Sequence, residues 1–191
     1  MVINEYKVLA MRTFANLSDE ETLNNSVFGL VGESGEVIEI IGNRLYKNEV
    51  IDPSKLIEEI GDTMWYIAQF SHVCAISMTE LFDGVESPQE YQLKRGICAE
   101  PSVVMCVFNL IPCMSKIVDI VKKHLHQGHP LDEDGIEIAL KHIVRNLVDI
   151  CINHGINFED TLIGNIEKLK KRYPQGFCAQ DSINRREEYE N

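Results

Sequence analysis

Positive charge is scarce in this chain. Its 191 residues include 18 lysines and arginines against 30 aspartates and glutamates, which gives a formal net charge of −12. Proteins that bind duplex DNA or RNA through the phosphate backbone usually present a basic face. We therefore expect no nucleic-acid partner, while a local basic site for a small anion stays open.

Paired cysteine motifs are also missing. None of the six cysteines forms a C-x-x-C pair, and several stand inside apolar helical patterns. This favours reduced, buried thiols over a disulfide framework or a zinc site. The cysteines are Cys74, Cys98, Cys106, Cys113, Cys151 and Cys178.

The sequence lacks both a signal peptide and a long apolar run. Charged residues interrupt its first turns at Glu5, Lys7 and Arg12. The longest apolar run, near 103–114, contains Asn109 and Pro112 and is shorter than the roughly 20 residues that a membrane span needs. We therefore expect a cytoplasmic protein with no membrane partner.

No stretch alternates apolar and polar residues as a half-buried strand does, whereas a period of 3.6 residues recurs along the chain. The fold class is therefore predicted to be all-α, as a single domain over residues 1–191. Residues 85–100 are polar and are interpreted as a connector, and residues 172–191 as extended or irregular. Helices are predicted over 2–16, from Ser18 or Asn25 to about 45, from Pro53 to about 74, near 78–84, and over about 102–127, 133–153 and 157–171.

Two helix starts have specific signals. Ser18 with Glu21 has the spacing of a capping box. Asp52 followed by Pro53 supplies an N-cap residue and a proline at the first helical position.

A shift of 80 residues aligns the chain with itself without a gap. The run Val27-Phe28-x-Leu30, for example, aligns with Val107-Phe108-x-Leu110. We therefore predict a helical bundle built as a tandem, pseudo-dimeric repeat of two helix pairs. The halves are residues 18–96 and 97–176, followed by a C-terminal tail over 177–191.

Two acidic pairs lie in the first half, Glu33 with Glu36 and Glu59 with Asp62. The spacing of three residues puts both carboxylates of a pair on one side of a helix. The same lines continue into Ile40, Tyr66 and Phe70, so we expect the acids in a partly buried wall instead of on an open surface.

Unpaired carboxylates in such a wall are costly, and a divalent cation removes the cost. Four hard oxygen ligands favour Mg²⁺ or Mn²⁺. The second half has other residues at the aligned positions, so one site per chain is predicted. These residues are Cys113, Lys116, Ala139 and His142.

The motifs around the acids resemble the MazG-like branch of the all-α nucleoside triphosphate pyrophosphohydrolases, whose signature is E-x-x-E followed by E-x-x-D. A C-terminal run resembles the closing motif of that family. The matching stretches are Gly29-Leu30-x-x-Glu33-x-Gly35-Glu36, Glu58-Glu59-x-Gly61-Asp62-x-x-Trp65-Tyr66, Asn165-Ile166-Glu167-Lys168-Leu169-Lys170-Lys171-Arg172-Tyr173-Pro174-x-Gly176-Phe177, and Ser182-x-x-Arg185.

The resemblance implies Mg²⁺-dependent hydrolysis of a nucleoside triphosphate to the monophosphate and pyrophosphate. It implies that the four acids are metal ligands and catalytic groups, with one carboxylate or a metal-bound water as the general base. It also implies phosphate contacts by cationic side chains of the closing motif and the tail. Those side chains are Lys168, Lys171, Arg172 and Arg185.

The chain departs from the family pattern in two ways. The closing motif follows the second half instead of directly following the E-x-x-D helix. Asn43-Arg44 stands near the place where many relatives carry a lysine pair. Phosphate contacts from that region are therefore not predicted.

Three further residues have two interpretations each. Trp65 either stacks on a base or packs between helices, Tyr66 either contacts the base or ribose or packs, and Asn25 either caps a helix or contacts the nucleotide. We retain all three as candidate substrate-binding residues.

The function predicted here is clearance of nucleoside triphosphates, such as house-cleaning of the nucleotide pool. One alternative is a pyrophosphohydrolase of another nucleotide, such as phosphoribosyl-ATP. A second is a non-catalytic, metal-binding helical regulator or scaffold. A homo-oligomer is compatible with each of these.

Overall fold

The computed structural model describes residues 1–97 and 102–184. Within them it contains helices and no strands, which confirms the all-α class. The helices are α1 (Ile3–Met11), α2 (Asp19–Lys47), α3 (Pro53–Val73), α4 (Met78–Leu81), α5 (Pro88–Ile97), α6 (Val103–Gln127), α7 (Glu133–Asn153), α8 (Phe158–Arg172) and α9 (Ala179–Ile183).

The signals at the starts of α2 and α3 are confirmed, whereas the capping box that the spacing of Ser77 and Glu80 predicts is not formed at α4. The Ser18 side chain accepts a hydrogen bond from the backbone N–H of Glu21, and the Glu21 carboxylate accepts one from the Ser18 backbone, so the capping box is complete. The Asp52 carboxylate accepts from the backbone N–H of Ser54, with Pro53 opening α3. These caps fix where the two acid-bearing helices begin.

The prediction of a connector over 85–100 is wrong, because α5 occupies most of it. Pro88 stands at the first helical position, and the Ser87 hydroxyl accepts from the backbone N–H of Glu90 at 3.3 Å. The helix is polar overall and buries only Pro88 and Tyr91. The tail likewise contains the short helix α9, and α1 ends five residues before its predicted end.

Two helix pairs form the body of the fold. Helix α2 packs on α3, α6 packs on α7, and α2 and α6 also contact each other. Helices α3 and α7 both have 21 residues, and their starts at Pro53 and Glu133 lie 80 positions apart. The inward faces correspond as well, since Leu30 and Leu110 are both fully buried.

Helix α3 lies at the centre of the part that matters for function. It contacts α2, α8, α1 and α7. Eleven of its 21 residues are buried, including polar Glu59, Thr63 and Gln69. Polar groups therefore enter the interior on this helix, and each needs a partner there.

Among the described residues, α6 alone is long and apolar enough to cross a membrane as judged by length and composition. That is a weak indication by itself. Its buried residues, including Cys106, Leu110 and Met114, follow one face of the helix.

The described cysteines form no disulfide, in agreement with the prediction of free thiols. Cys74, Cys106 and Cys151 are buried, Cys113 is half-buried and Cys178 is exposed. Cys98 lies outside the described residues.

Candidate active site

Three carboxylates converge between α2 and α3. One oxygen each from Glu33, Glu59 and Asp62 can be chosen so that all lie within 4.8 Å of one another. Glu59 is buried, with 7 % of its surface exposed, and the other two are half-buried. Such a group of oxygens could hold a divalent metal ion.

Electrostatic repulsion is concentrated on Glu59. Burial, together with the negative charges of Glu36, Asp62 and Glu33, raises the pKa of this carboxyl to about 7. A bound cation would offset both burial and repulsion. The residues present therefore fit a metal site.

Helix α8 supplies the polar partners of Asp62. The Asn165 side-chain amide donates to Asp62 Oδ1 at 2.8 Å, and Lys168 donates to Asp62 Oδ2. Lys168 also donates to Glu58 Oε1 at 3.0 Å. Each carboxylate oxygen accepts in two directions, so these bonds leave Asp62 able to bind a cation.

Tyr6 on α1 is hydrogen-bonded to Asn165 and so joins the set of polar side chains around Asp62. Its hydroxyl donates to Asn165 Oδ1 at 3.0 Å, and the Tyr6 side chain is fully buried. Sequence reasoning did not single out Tyr6, Asn165 or Glu58. Asn165 had a signal, because it lies one helical turn before Lys168 in the closing motif.

Gly61 allows α8 to approach α3 closely. A Cβ atom at Gly61 would lie 2.8 Å from the carbonyl oxygen of Thr161 and 2.9 Å from Cβ of Asn165. Only glycine therefore fits at this point of contact. The motif glycine next to Asp62 thus positions Asn165 and Lys168 against it.

A cavity of about 470 Å³ opens beside the carboxylates. It contains six of the residues proposed from sequence, together with further aromatic and hydroxyl side chains. The residues that line it are Thr13, Phe14, Ala15, Leu17, Asn25, Glu33, Asp62, Trp65, Tyr66, Leu169, Arg172, Tyr173, Phe177 and Ser182.

Asn25 and Glu33 of α2 line the cavity, and Gly29 lies midway between them, four residues from each. A Cβ atom at Gly29 would lie 2.0 Å from the Tyr66 ring, so the ring of Tyr66 crosses the helix at this glycine. Asn25 lies about 12 Å along the axis from Glu33, given a rise of roughly 1.5 Å per residue. The carboxylate end and the Asn25 end are therefore separated by the length of a nucleoside.

The remaining residues proposed from sequence lie in other settings. Glu36 is exposed one turn beyond Glu33, and Lys171 is exposed on α8 outside the cavity lining. Lys168 pairs with acids as described above. Arg185 lies outside the described residues.

Trp65 is anchored to α1 as well as lining the cavity. Its indole N–H lies 3.2 Å from both the Ala10 carbonyl oxygen and the Thr13 hydroxyl. Its ring also meets that of Tyr66 edge to face, with centroids 4.9 Å apart. Trp65 therefore has a packing function that holds one wall of the cavity.

A comparison with protein families supports the motif resemblance directly. Residues 21–87 match the MazG nucleotide pyrophosphohydrolase domain. Residues 21–87, about a third of the chain, thus form a MazG domain. No curated protein and no solved structure matched the chain. The MazG domain implies nucleotide pyrophosphohydrolase activity and a nucleotide substrate, and the acidic cluster agrees with the metal dependence of the family.

The MazG match contains Glu33, Glu59 and Asp62 but ends well before α8. Asn165 and Lys168 therefore contact Asp62, and Arg172 lines the cavity, from a part of the chain that the family match does not cover.

The raised pKa of Glu59 predicts a pH-dependent stability. The folded protein holds a proton on Glu59 up to about pH 7, whereas the ordinary value is 4.5. The metal-free protein should therefore lose stability as pH rises through this interval, because ionisation is penalised only in the folded state. Glu59→Gln should stabilise it by about 2 kcal/mol at pH 8, or about 4–8 °C in Tm, and by less than half of that at pH 5.

The measurement is thermal unfolding in a metal chelator across this pH range. Glu39→Gln, at an exposed position of the neighbouring helix α2, is the control and should leave the pH profile unchanged. A Glu59→Gln effect of the same size at pH 5 and pH 8 would contradict the assigned pKa.

Proposed function

We propose that the protein hydrolyses a nucleoside triphosphate or deoxynucleoside triphosphate to the monophosphate and pyrophosphate, with Mg²⁺ as the cofactor and Mn²⁺ as a substitute. The observation that carries this proposal is the convergence of Glu33, Glu59 and Asp62 beside a nucleotide-sized cavity, which Glu33 and Asp62 line. The MazG domain supports the same reaction class.

Glu33, Glu59 and Asp62 would hold the cation, with Glu36 as a fourth carboxylate nearby. When bound, Mg²⁺ supplies positive charge to phosphate oxygens. A carboxylate of the cluster accepts the proton of the attacking water. The water oxygen bonds to the α-phosphorus, the bond to the bridging oxygen breaks, and pyrophosphate leaves.

Cationic groups of α8 contribute in two ways. Arg172 lines the cavity and can bind the leaving phosphates as a fork of N–H donors. Lys168 orients Asp62 in the ligand-free protein and lies close enough to the cluster to bind phosphate when the substrate arrives. Lys171 and Arg185 remain proposed contacts of the outer phosphates.

We also propose that the two helix pairs arose by duplication and that each chain has one active site. The equal lengths of α3 and α7 and their 80-residue offset support this. The second half has a cavity at the aligned position, lined by Cys113, Lys116, Ala139 and His142 among others. Asp132 and Asp134 also line this cavity, but no carboxylate occupies the four positions aligned with the acids of the first half.

Two alternatives remain to be compared with this proposal. A non-catalytic scaffold has no need for one buried and two half-buried carboxylates around one point, and their mutual repulsion is costly without a cation. Hydrolysis of phosphoribosyl-ATP would use the same acids on a larger substrate. We place the activity in the cytoplasm, in clearance of the nucleotide pool.

The test is incubation of the purified protein with a panel of ribonucleotide and deoxyribonucleotide triphosphates and phosphoribosyl-ATP. We expect monophosphate and pyrophosphate with Mg²⁺, slower release with Mn²⁺ and none with a chelator. Orthophosphate with a diphosphate as the product would contradict the proposed point of cleavage. The absence of pyrophosphate with every nucleotide and both metals would refute the enzyme assignment and favour the scaffold.

A further inference from the structure

A pair of side-chain amides, the exposed Asn25 and the buried Gln69, lies at the end of the cavity away from the carboxylates. Asn25 lines the cavity, and its side-chain amide lies 3.1 Å from Oε1 of Gln69. Gln69 and the neighbouring Ser26 are both fully buried. The group is therefore held on its inner side by protein and meets the cavity only through Asn25.

The orientation of the Gln69 side-chain amide determines whether Asn25 turns its oxygen or its NH₂ group toward the cavity. In the structure, Gln69 Oε1 accepts from both Asn25 and Ser26, and its Nε2 has no partner although it is buried. The single hydroxyl hydrogen of Ser26 cannot serve Gln69 at 3.2 Å and the Thr22 carbonyl at 2.7 Å at once.

A half-turn of the two amide groups removes the conflict. The Ser26 hydroxyl then donates only to the Thr22 carbonyl, and Gln69 Nε2 donates one hydrogen to Ser26 Oγ and the other to Asn25 Oδ1. A buried carbonyl oxygen without a partner is less costly than a buried NH₂ with two orphaned hydrogens. The chain of bonds from Thr22 through Ser26 and Gln69 thus fixes the Asn25 oxygen inward and its NH₂ outward.

The distance along α2 places this NH₂ at the base end of the substrate. Glu33 marks the metal end of the line, and the Tyr66 ring crosses at Gly29 halfway between Glu33 and Asn25. A nucleotide whose phosphates meet the carboxylates would therefore pass Tyr66 with its sugar or base and reach Asn25 with the outer edge of the base.

We propose, on the basis of the function proposed above, that Asn25 donates its amide N–H to a ring carbonyl and so selects bases with a keto group at pyrimidine position 4 or purine position 6. These are uracil, thymine, guanine and hypoxanthine. Cytosine and adenine carry an amino group at this position, so their N–H donor would face the N–H donor of Asn25. Gln69 and Ser26 are positioning residues that set the direction of the Asn25 amide.

The test uses nucleotides that differ only in this group, dUTP against dCTP and dITP against dATP. The wild-type protein should favour the keto member of each pair by about tenfold or more in kcat/KM, because an unpaired polar group at a binding site is costly. Asn25→Ala should bring both ratios close to one. Asn25→Asp, which presents an acceptor, should favour the amino member.

Asn24→Ala is the matched control, because Asn24 is an exposed neighbour on α2 that does not line the cavity, and it should keep the wild-type ratios. Gln69→Met, of similar volume without an amide, should lower the ratios while circular dichroism shows an unchanged helix content. Equal rates within each wild-type pair, or ratios that Asn25→Ala leaves unchanged, would overturn the inference while leaving the proposed function intact.

A binding measurement distinguishes failure of the inference about Asn25 from failure of the proposed hydrolysis. Calorimetric titration with α,β-imido analogues of dUTP and dCTP requires no turnover. A keto preference in binding that Asn25→Ala removes, without pyrophosphate release from any nucleotide, would support the inference and refute the proposed hydrolysis. Equal affinity of the two analogues would overturn the inference.

Discussion

Asp62→Asn is expected to lower kcat for pyrophosphate release at least about 1000-fold, a loss on the scale seen when a preorganised electrostatic group is removed from an active site. The substitution removes one of three charges that converge within 4.8 Å. Asparagine offers one neutral oxygen where the aspartate offered two charged ones, so cation affinity falls with it.

The same substitution should leave the fold intact. Asparagine Oδ1 can still accept from Asn165, and Lys168 retains its bond to Glu58. Circular dichroism and thermal unfolding should therefore stay close to wild type while Mg²⁺ affinity, measured by calorimetry, falls. Turnover near the wild-type rate would refute the assignment of Asp62 as a ligand.

Two variants on α2 calibrate this result. Glu39→Gln, at an exposed site outside the cluster, should change kcat by less than about twofold. Glu36→Gln should abolish turnover as Asp62→Asn does if Glu36 joins the ligand set when the cation binds. An active Glu36→Gln would restrict the ligand set to the three converging acids.

Gly61→Ala is expected to have the largest effect on stability. The added methyl would lie 2.8 Å from the Thr161 carbonyl oxygen, which belongs to the backbone of α8 and cannot rotate away. Helices α3 and α8 must therefore separate, at a cost of about 2–3 kcal/mol that lowers Tm by roughly 4–12 °C. The separation also moves Asn165 and Lys168 away from Asp62. Activity should therefore be reduced even at temperatures at which the variant is folded.

Gly42→Ala provides the control within the same fold. Nothing lies within 4 Å of the Cβ position at Gly42, which is inside α2. Alanine there should stabilise the protein by about 0.5–1 kcal/mol through helix propensity alone. If the Gly61→Ala and Gly42→Ala variants had the same Tm, the close contact between α3 and α8 at Gly61 would be refuted.

The parts of the fold that sequence reasoning predicted are those with local causes. Ser18 and Asp52 start helices through bonds to residues two or three positions away, and the periodic stripes that follow them are long. The convergence of Glu33 with Glu59 and Asp62 followed from helical spacing and from the packing of consecutive helices. Helix α5 was missed because it is short and polar overall and buries only two of its residues.

Sequence reasoning did not predict the parts of the site that depend on contacts between residues far apart in the sequence. Tyr6 meets Asn165 across 159 positions, and nothing in either neighbourhood signals the other. Lys168 illustrates a second limit. The motif predicts a cation near phosphate, but only the fold places that cation on Asp62 and Glu58 in the absence of substrate. The tandem repeat and the roles of the individual site residues stay predictions.

The contact between Asp62 and Lys168 also bears on the order in which a newly made chain acquires its activity. The two residues are 106 positions apart, and bonds of such long range form after local helices. A ribosome-bound chain that has released only α2 and α3 holds its repelling carboxylates without Asn165, Lys168 or Arg172. The full set of polar partners around Asp62 is therefore assembled late in synthesis, when α8 leaves the exit tunnel and packs on α3 at Gly61.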